Sequence, residues 1–138
     1  MNDKESQRQK LNALSQTVIG ICIEIHRELG PGLLESAYEE CLAYDFTQAG
    51  IAFQRQHPLS IHYKGVHLDC GYRMDFVIED SLILELKAVA EHLPIFEAQL
   101  LTYLKLARKP LGLIINFNQL TLHKGIKRVV CGDLFRDP

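Results

Sequence analysis

The stretch Tyr72-Arg-Met-Asp75-Phe-Val-Ile-Glu-Asp-Ser-Leu82-Ile-Leu-Glu85-Leu-Lys87-Ala88 decides the fold. It reads as two apolar strands joined by a tight turn, with Asp75, Glu85 and Lys87 set among hydrophobic residues. Charged side chains are rarely buried unless they are paired or bind a metal. Side chains alternate along a strand with period two. In the second strand, Leu82, Leu84 and Leu86 therefore share one face, and Ile83, Glu85 and Lys87 the other. In the first, Tyr72, Met74, Phe76 and Ile78 share one face, and Gly71, Arg73, Asp75 and Val77 the other. For the apolar faces to share one core, Ile78 must lie opposite Leu82, which leaves Glu79-Asp80-Ser81 as the loop. That register sets Asp75 across from Glu85, with Cβ atoms roughly 5 Å apart. A two-residue turn would set Asp75 against Leu84 on the wrong face, because a one-residue slip flips every side chain. Two carboxylates and a lysine on neighbouring strands suit a divalent cation and a positioned water, the chemistry of a metal-dependent phosphodiesterase. The competing reading is that Glu85–Lys87 and Asp75–Arg73 are same-face ion pairs on a solvated sheet.

Working outward, 138 residues suit one domain with a proper core: a flexible N-terminus over 1–10 and a single domain over 11–138. With 47% hydrophobic and 23% charged residues, the composition is that of an ordinary soluble globular chain. No apolar run approaches the roughly 20 residues of a membrane span, and the N-terminus lacks a signal-peptide pattern. Cys22, Cys41, Cys70 and Cys131 have no CxxC spacing, which favours a reduced, cytoplasmic protein over a disulfide or zinc framework. The net charge of −2 gives no global attraction for nucleic acid. The obvious basic cluster is Lys124, Lys127, Arg128 and Arg136.

Leu11, Leu14, Val18, Ile21, Cys22, Ile25 and Leu29 recur at helical spacing and predict a helix over 11–29. Gly30-Pro31-Gly32 ends it, and a second helix is expected over 33–49, burying Leu34, Ala37, Tyr38, Cys41, Leu42 and Phe46. A strand over 53–63 turns at Lys64-Gly65 into the strand that carries Asp75. Pro94 opens a helix to about Arg108. The apolar run Leu111–Phe117 suits a strand covered on both faces, and a shorter strand or turn over 121–130 closes the chain. The order α-α-β-β-β-α-β implies a mixed sheet flanked by helices, an α/β fold.

Two further placements bear on function. Glu35 lies in the first turn of the second helix, as a helix-dipole acid or as a third carboxylate aimed at the sheet. Gln99 and Tyr103 share a helix face, as local packing or as groups that hydrogen-bond a phosphate. The histidines show no HxxxH-type ligand spacing, and His26 is at most an outlying candidate.

Taken together these motifs resemble a known family. Gly32-Leu-Leu-Glu35-Ser-Ala-Tyr38 fits the GxxExxY signature, and Arg73-Met-Asp75, Leu84-Glu85-Leu-Lys87-Ala, Ala98-Gln99-Leu-Leu-Thr-Tyr103-Leu and Gly112-Leu-Ile-Ile-Asn116-Phe117 follow in order. The chain is similar to the GxxExxY family of the PD-(D/E)XK nuclease superfamily over roughly 11–130. That resemblance implies a restriction-endonuclease-like core and a magnesium-dependent nuclease site. Asp75 and Glu85 would be metal ligands, Lys87 the lysine of the E-x-K element, and Glu35 the upstream helix acid. Gln99 and Tyr103 would match the QxxxY element of RecB-like nucleases. Met74 stands where the superfamily label has proline, a position that varies in the superfamily.

The residue types set the expected chemistry. Mg²⁺ or Mn²⁺ would be held by Asp75, Glu85 and the Leu86 carbonyl, with Glu35 adding a direct or water-mediated contact. Lys87 would orient the attacking water, and Arg73, Gln99 and Tyr103 would bind substrate. The expected partner is nucleic acid, DNA first, with a homodimer or a larger partner protein as further options and no membrane. The alternatives are a catalytically idle nucleic-acid-binding or protein-interaction module on a nuclease scaffold, and a structural sheet whose ion pairs bind nothing.

Overall fold

The Asn2 side chain accepts the Glu5 N–H at 2.7 Å and caps the first helix, α1, Asp3–Leu29. A computed structural model describes residues 2–136. The helix thus starts well before residue 11. Its buried stripe is Leu11, Ser15, Val18, Cys22, Ile25 and His26, whereas Leu29 is exposed. Helix α2 spans Glu35–Gln48 and buries Tyr38, Leu42, Ala43 and Phe46. Leu34, expected in that stripe, is the exposed N-cap, and Cys41 is only partly buried.

Seven strands follow, β1 Phe53–Pro58, β2 Ile61–Tyr63, β3 Val66–Leu68, β4 Arg73–Ile78, β5 Leu82–Lys87, β6 Leu111–Asn116 and β7 Ile126–Val130. Helix α3, Pro94–Ala107, crosses from β5 to β6, and a short 3₁₀ turn, Leu122–Gly125, precedes β7. The main sheet runs β1-β4-β5-β6-β7, with β5 and β6 parallel and the other neighbours antiparallel. This is the mixed α/β architecture of the restriction-endonuclease-like fold. One sheet face carries Phe76, Ile78, Leu82, Leu84, Leu86, Leu113 and Ile115 against α1 and α2. The other carries Met74, Val77, Ile83 and Ile114 against Leu100, Tyr103 and Leu104 of α3. Strand β6 is buried at every position, as its unbroken apolar run implies.

The β4–β5 register is the one the hydrophobic pattern requires, with Ile78 opposite Leu82 and Phe76 opposite Leu84. Glu79 and Asp80 at the turn both have positive φ, an unusual conformation for non-glycine residues. Local bonds hold them there: the Glu79 N–H donates to the Ala52 carbonyl at 2.9 Å, and Lys109 pairs with Asp80 at 2.7 Å.

Two strand expectations also need correction. The strand predicted over 53–63 ends at Pro58, and Ile61–Leu68 forms a separate hairpin of β2 and β3. Pro58, paired with Arg73, is the last residue of β1, and Gln56, two residues earlier, has φ 47°. Met74 and Tyr72 do not share the face of Phe76 and Ile78. Met74 packs on the α3 side, and the Tyr72 ring meets Tyr103 at 6.2 Å between centroids. The β4–β5 ladder stops at Phe76–Leu84, so β4 is free to twist before Asp75.

Among the described residues no helix is long and apolar enough to cross a membrane. All four cysteines are free thiols.

Candidate active site

Where the ladder stops, side chains take over the pairing. Asp75 Oδ2 accepts the Leu86 N–H at 2.8 Å, and Glu85 Oε1 accepts the Asp75 N–H at 3.4 Å. The N–H and C=O of one strand residue point to the same side, so the Leu86 carbonyl is directed at the same gap. The hairpin therefore gathers three oxygen-bearing groups: the carboxylates of Asp75 and Glu85 and the carbonyl of Leu86.

Their environment is poor in compensating charge. Burial first, and the Asp75 charge second, push the Glu85 carboxyl up to about 9. Lys87 lies on the same strand face, but its Nζ sits 4.4 Å from the Phe96 ring centroid on α3. Among the described residues Lys87 forms no ion pair with Glu85, nor does Arg73 with Asp75. Arg73 instead donates to the Gln56 carbonyl at 3.4 Å. The same-face ion pairs of the competing reading are therefore not formed.

Helix α2 supplies Glu35. Its carboxyl is raised by burial first and by Asp75 second, with Lys87 opposing, so Glu35 lies within the field of Asp75 and Lys87. Tyr38 explains how it gets there. The Tyr38 hydroxyl donates to the Gly30 carbonyl at 2.6 Å and accepts the Leu33 N–H at 3.2 Å. Its ring stacks on Phe117 with centroids 4.2 Å apart. One side chain thus ties the α1–α2 connection to the sheet and fixes the first turn of α2. Tyr103 reaches the site from α3, and its hydroxyl is raised by burial first and Glu85 second. Gln99, one turn earlier, is exposed and makes no hydrogen bond among the described residues. His26 is buried away from the acids, with Nε2 donating to the Gln119 carbonyl at 2.7 Å.

Two residues of this region, Gln56 and Glu39, lay outside the sequence reading, and a third, Asn116, entered it only within a motif and with no role. The Gln56 amide donates to Asp75 Oδ1 at 3.2 Å and also to Glu39. Glu39 accepts from Arg55 at 2.9 Å. Four residues separate Glu35 from Glu39, so helical spacing alone signals that they share a face. Gln56 carried no such signal, because its place depends on where β1 bends. Asn116, at the end of β6, accepts the Val89 and Asn118 N–H groups at 3.1 Å and donates to the Val89 carbonyl at 3.0 Å. The Phe117 N–H also donates to the Lys87 carbonyl at 2.9 Å. These bonds anchor the chain at Lys87 and just after it.

The donor set fits a hard cation. Two carboxylates and a carbonyl are all oxygen, and Mg²⁺ needs only one or two carboxylates because it keeps several waters. No three His, Cys, Asp or Glu side chains among the described residues converge closely enough to ligate one ion. A groove of about 760 Å³ between α1 and α2 is lined by residues such as Ile25, Cys41 and Tyr44 and includes none of these acids.

The fold is that of the PD-(D/E)XK nucleases. The chain belongs to the PD-(D/E)XK nuclease superfamily, whose family model matches residues 12–129. Members are generally phosphodiesterases that act on nucleic acid and use divalent metals. No curated protein and no solved structure matches the chain.

Proposed function

We propose that this protein is a Mg²⁺- or Mn²⁺-dependent nuclease that hydrolyses phosphodiester bonds in DNA. The observation that carries the reading is the pairing of Asp75 with Glu85 in a partly buried gap where neither forms an ion pair with the protein's own cations among the described residues. Asp75, Glu85 and the Leu86 carbonyl would hold the ion, and Glu35 would reach it through water. When bound, the ion supplies charge neutralisation at the scissile phosphate and acidifies the attacking water.

The protein's own side chains do the rest. Lys87 swings from the Phe96 ring to orient the attacking water and to neutralise charge building on the phosphate. Tyr103 and Gln99 donate hydrogen bonds to phosphate oxygens from α3, and Arg73 holds a neighbouring phosphate at the start of β4. Asn116 and Phe117 fix the backbone around Lys87, which keeps its ammonium within reach of the acids.

The test is cleavage of linear and circular DNA, single-stranded DNA and RNA with Mn²⁺ or Mg²⁺, run beside Glu85→Ala and Lys87→Ala. Cleavage of DNA by the wild type alone is expected. Equal cleavage by Glu85→Ala would overturn the assignment. The second reading, an idle scaffold that docks another protein, draws on the apolar α1–α2 groove rimmed by Glu24, Glu28, Glu40 and Asp45. Metal binding with no cleavage of any substrate would favour it.

A further inference from the structure

The β2–β3 hairpin is separate from the main sheet, and its two faces differ in chemistry. The register pairs Ile61 with Leu68, His62 with His67 and Tyr63 with Val66. Residues paired across antiparallel strands point to the same side. One face is therefore apolar, and the other consists of two facing imidazoles. Lys64 and Gly65 form the turn with φ 51° and 78°, the pattern of a tight two-residue connection whose twist matches the strands. Such a loop makes Tyr63–Val66 the hydrogen-bonded pair and His62–His67 the non-hydrogen-bonded pair, in which side chains come closest. The ring centroids lie 4.0 Å apart at an interplanar angle of 45°. Both residues are exposed, and neither ring forms a hydrogen bond among the described residues.

We propose that His62 and His67 form a two-imidazole site for one borderline transition ion, Zn²⁺, Ni²⁺ or Cu²⁺, distinct from the carboxylate site. The ligand type sets the class, since imidazole suits these ions and oxygen donors suit Mg²⁺. The turn fixes both backbone positions, so only the side-chain rotamers need to settle when the ion arrives. Water fills the remaining coordination positions, because no third His, Cys, Asp or Glu converges there among the described residues. An isolated two-stranded hairpin is only marginally stable in water, and an ion bridging both strands stabilises the paired form.

The test uses the full chain without an affinity tag. Calorimetric titration with Zn²⁺ is run on the wild type and on His62→Ala, His67→Ala and Glu85→Ala, and histidine-ring NMR is recorded for the wild type. The expected result is one equivalent that is lost in both histidine variants and kept in Glu85→Ala, separate from any Zn²⁺ taken up by the carboxylate site, with ring shifts at His62 and His67. The hairpin face is exposed, so circular dichroism is expected to be unchanged in every histidine variant. The proposal is overturned if the wild type shows no saturable binding, if either histidine variant binds as the wild type does, or if the ring shifts fall on other histidines. None of these outcomes depends on whether the protein cleaves nucleic acid.

Discussion

Asp75 Oδ2 accepts the Leu86 N–H at 2.8 Å, in the position a β4 backbone carbonyl would otherwise take. The same carboxylate is thus both a proposed metal ligand and the last rung of the β4–β5 ladder. Removing it entirely strands a partly buried N–H, which costs about 1–3 kcal/mol. Asp75→Ala is expected to lose both stability and metal affinity, whereas Asp75→Asn keeps an acceptor oxygen and loses metal affinity alone. Urea denaturation beside Mn²⁺ titration separates the two, and equal stability losses in both variants would count against the rung.

Glu85 makes stability depend on pH in the metal-free protein. Its folded-state pKa of about 9 lies above the ordinary value of 4.5, so between these values the folded state holds a proton that the unfolded state has released. Stability therefore falls as pH rises from about 4.5 towards 9. In EDTA, Glu85→Gln is expected to flatten this slope and to melt higher than wild type at pH 8. Mg²⁺ or Mn²⁺ is expected to raise the wild-type Tm at that pH and to leave the variant unmoved. A melting profile indifferent to both pH and metal would contradict the burial of this carboxyl.

Tyr38 links structure to the site. Tyr38→Phe keeps the stack on Phe117 but removes the hydroxyl that bridges Gly30 and Leu33. A loss of about 1–2 kcal/mol is expected. Cleavage is expected to drop as well, because the first turn of α2 carries Glu35. Turnover at a temperature where the variant stays folded measures the second effect apart from the first.

Two glycines are expected to respond differently to alanine. At Gly125 an added Cβ would stand 2.3 Å from the Asn116 carbonyl oxygen, a backbone atom that cannot move aside. At Gly112 the nearest atoms, at 2.8 Å, belong to the Leu100 side chain, which can turn. Gly125→Ala is expected to cost about 1–3 kcal/mol or more, and Gly112→Ala less. Thermal melts of the two variants give the order.

How much of this was legible in the sequence differs from one residue to the next. The period-two pattern of Leu82, Leu84 and Leu86 allowed only one register, and that register brought Asp75 to Glu85. Pro94 and the apolar run from Leu111 fixed α3 and β6 because each obeys a strong local rule. The bend at Gln56 was not legible, since its positive φ depends on tertiary bonds to Asp75 and Glu39. The turn of Met74 and Tyr72 towards α3 follows from the lost ladder rung and is likewise invisible to strict alternation. Of the proposed site residues, Gln99 and Arg73 lie at the rim, and only a bound substrate would bring them to the acids.

The β4–β5 hairpin has one more consequence. The two acids come from neighbouring strands of one short loop, so little chain entropy is lost in bringing them together. Lys87 shares that hairpin, while Phe96, Tyr103 and Glu35 arrive from helices elsewhere in the chain. On the proposed assignment, ion capture would be a local property of about one hairpin, and reactivity a property of the assembled fold. Changes in α2 or α3 can tune or silence turnover while leaving the ion's ligands untouched.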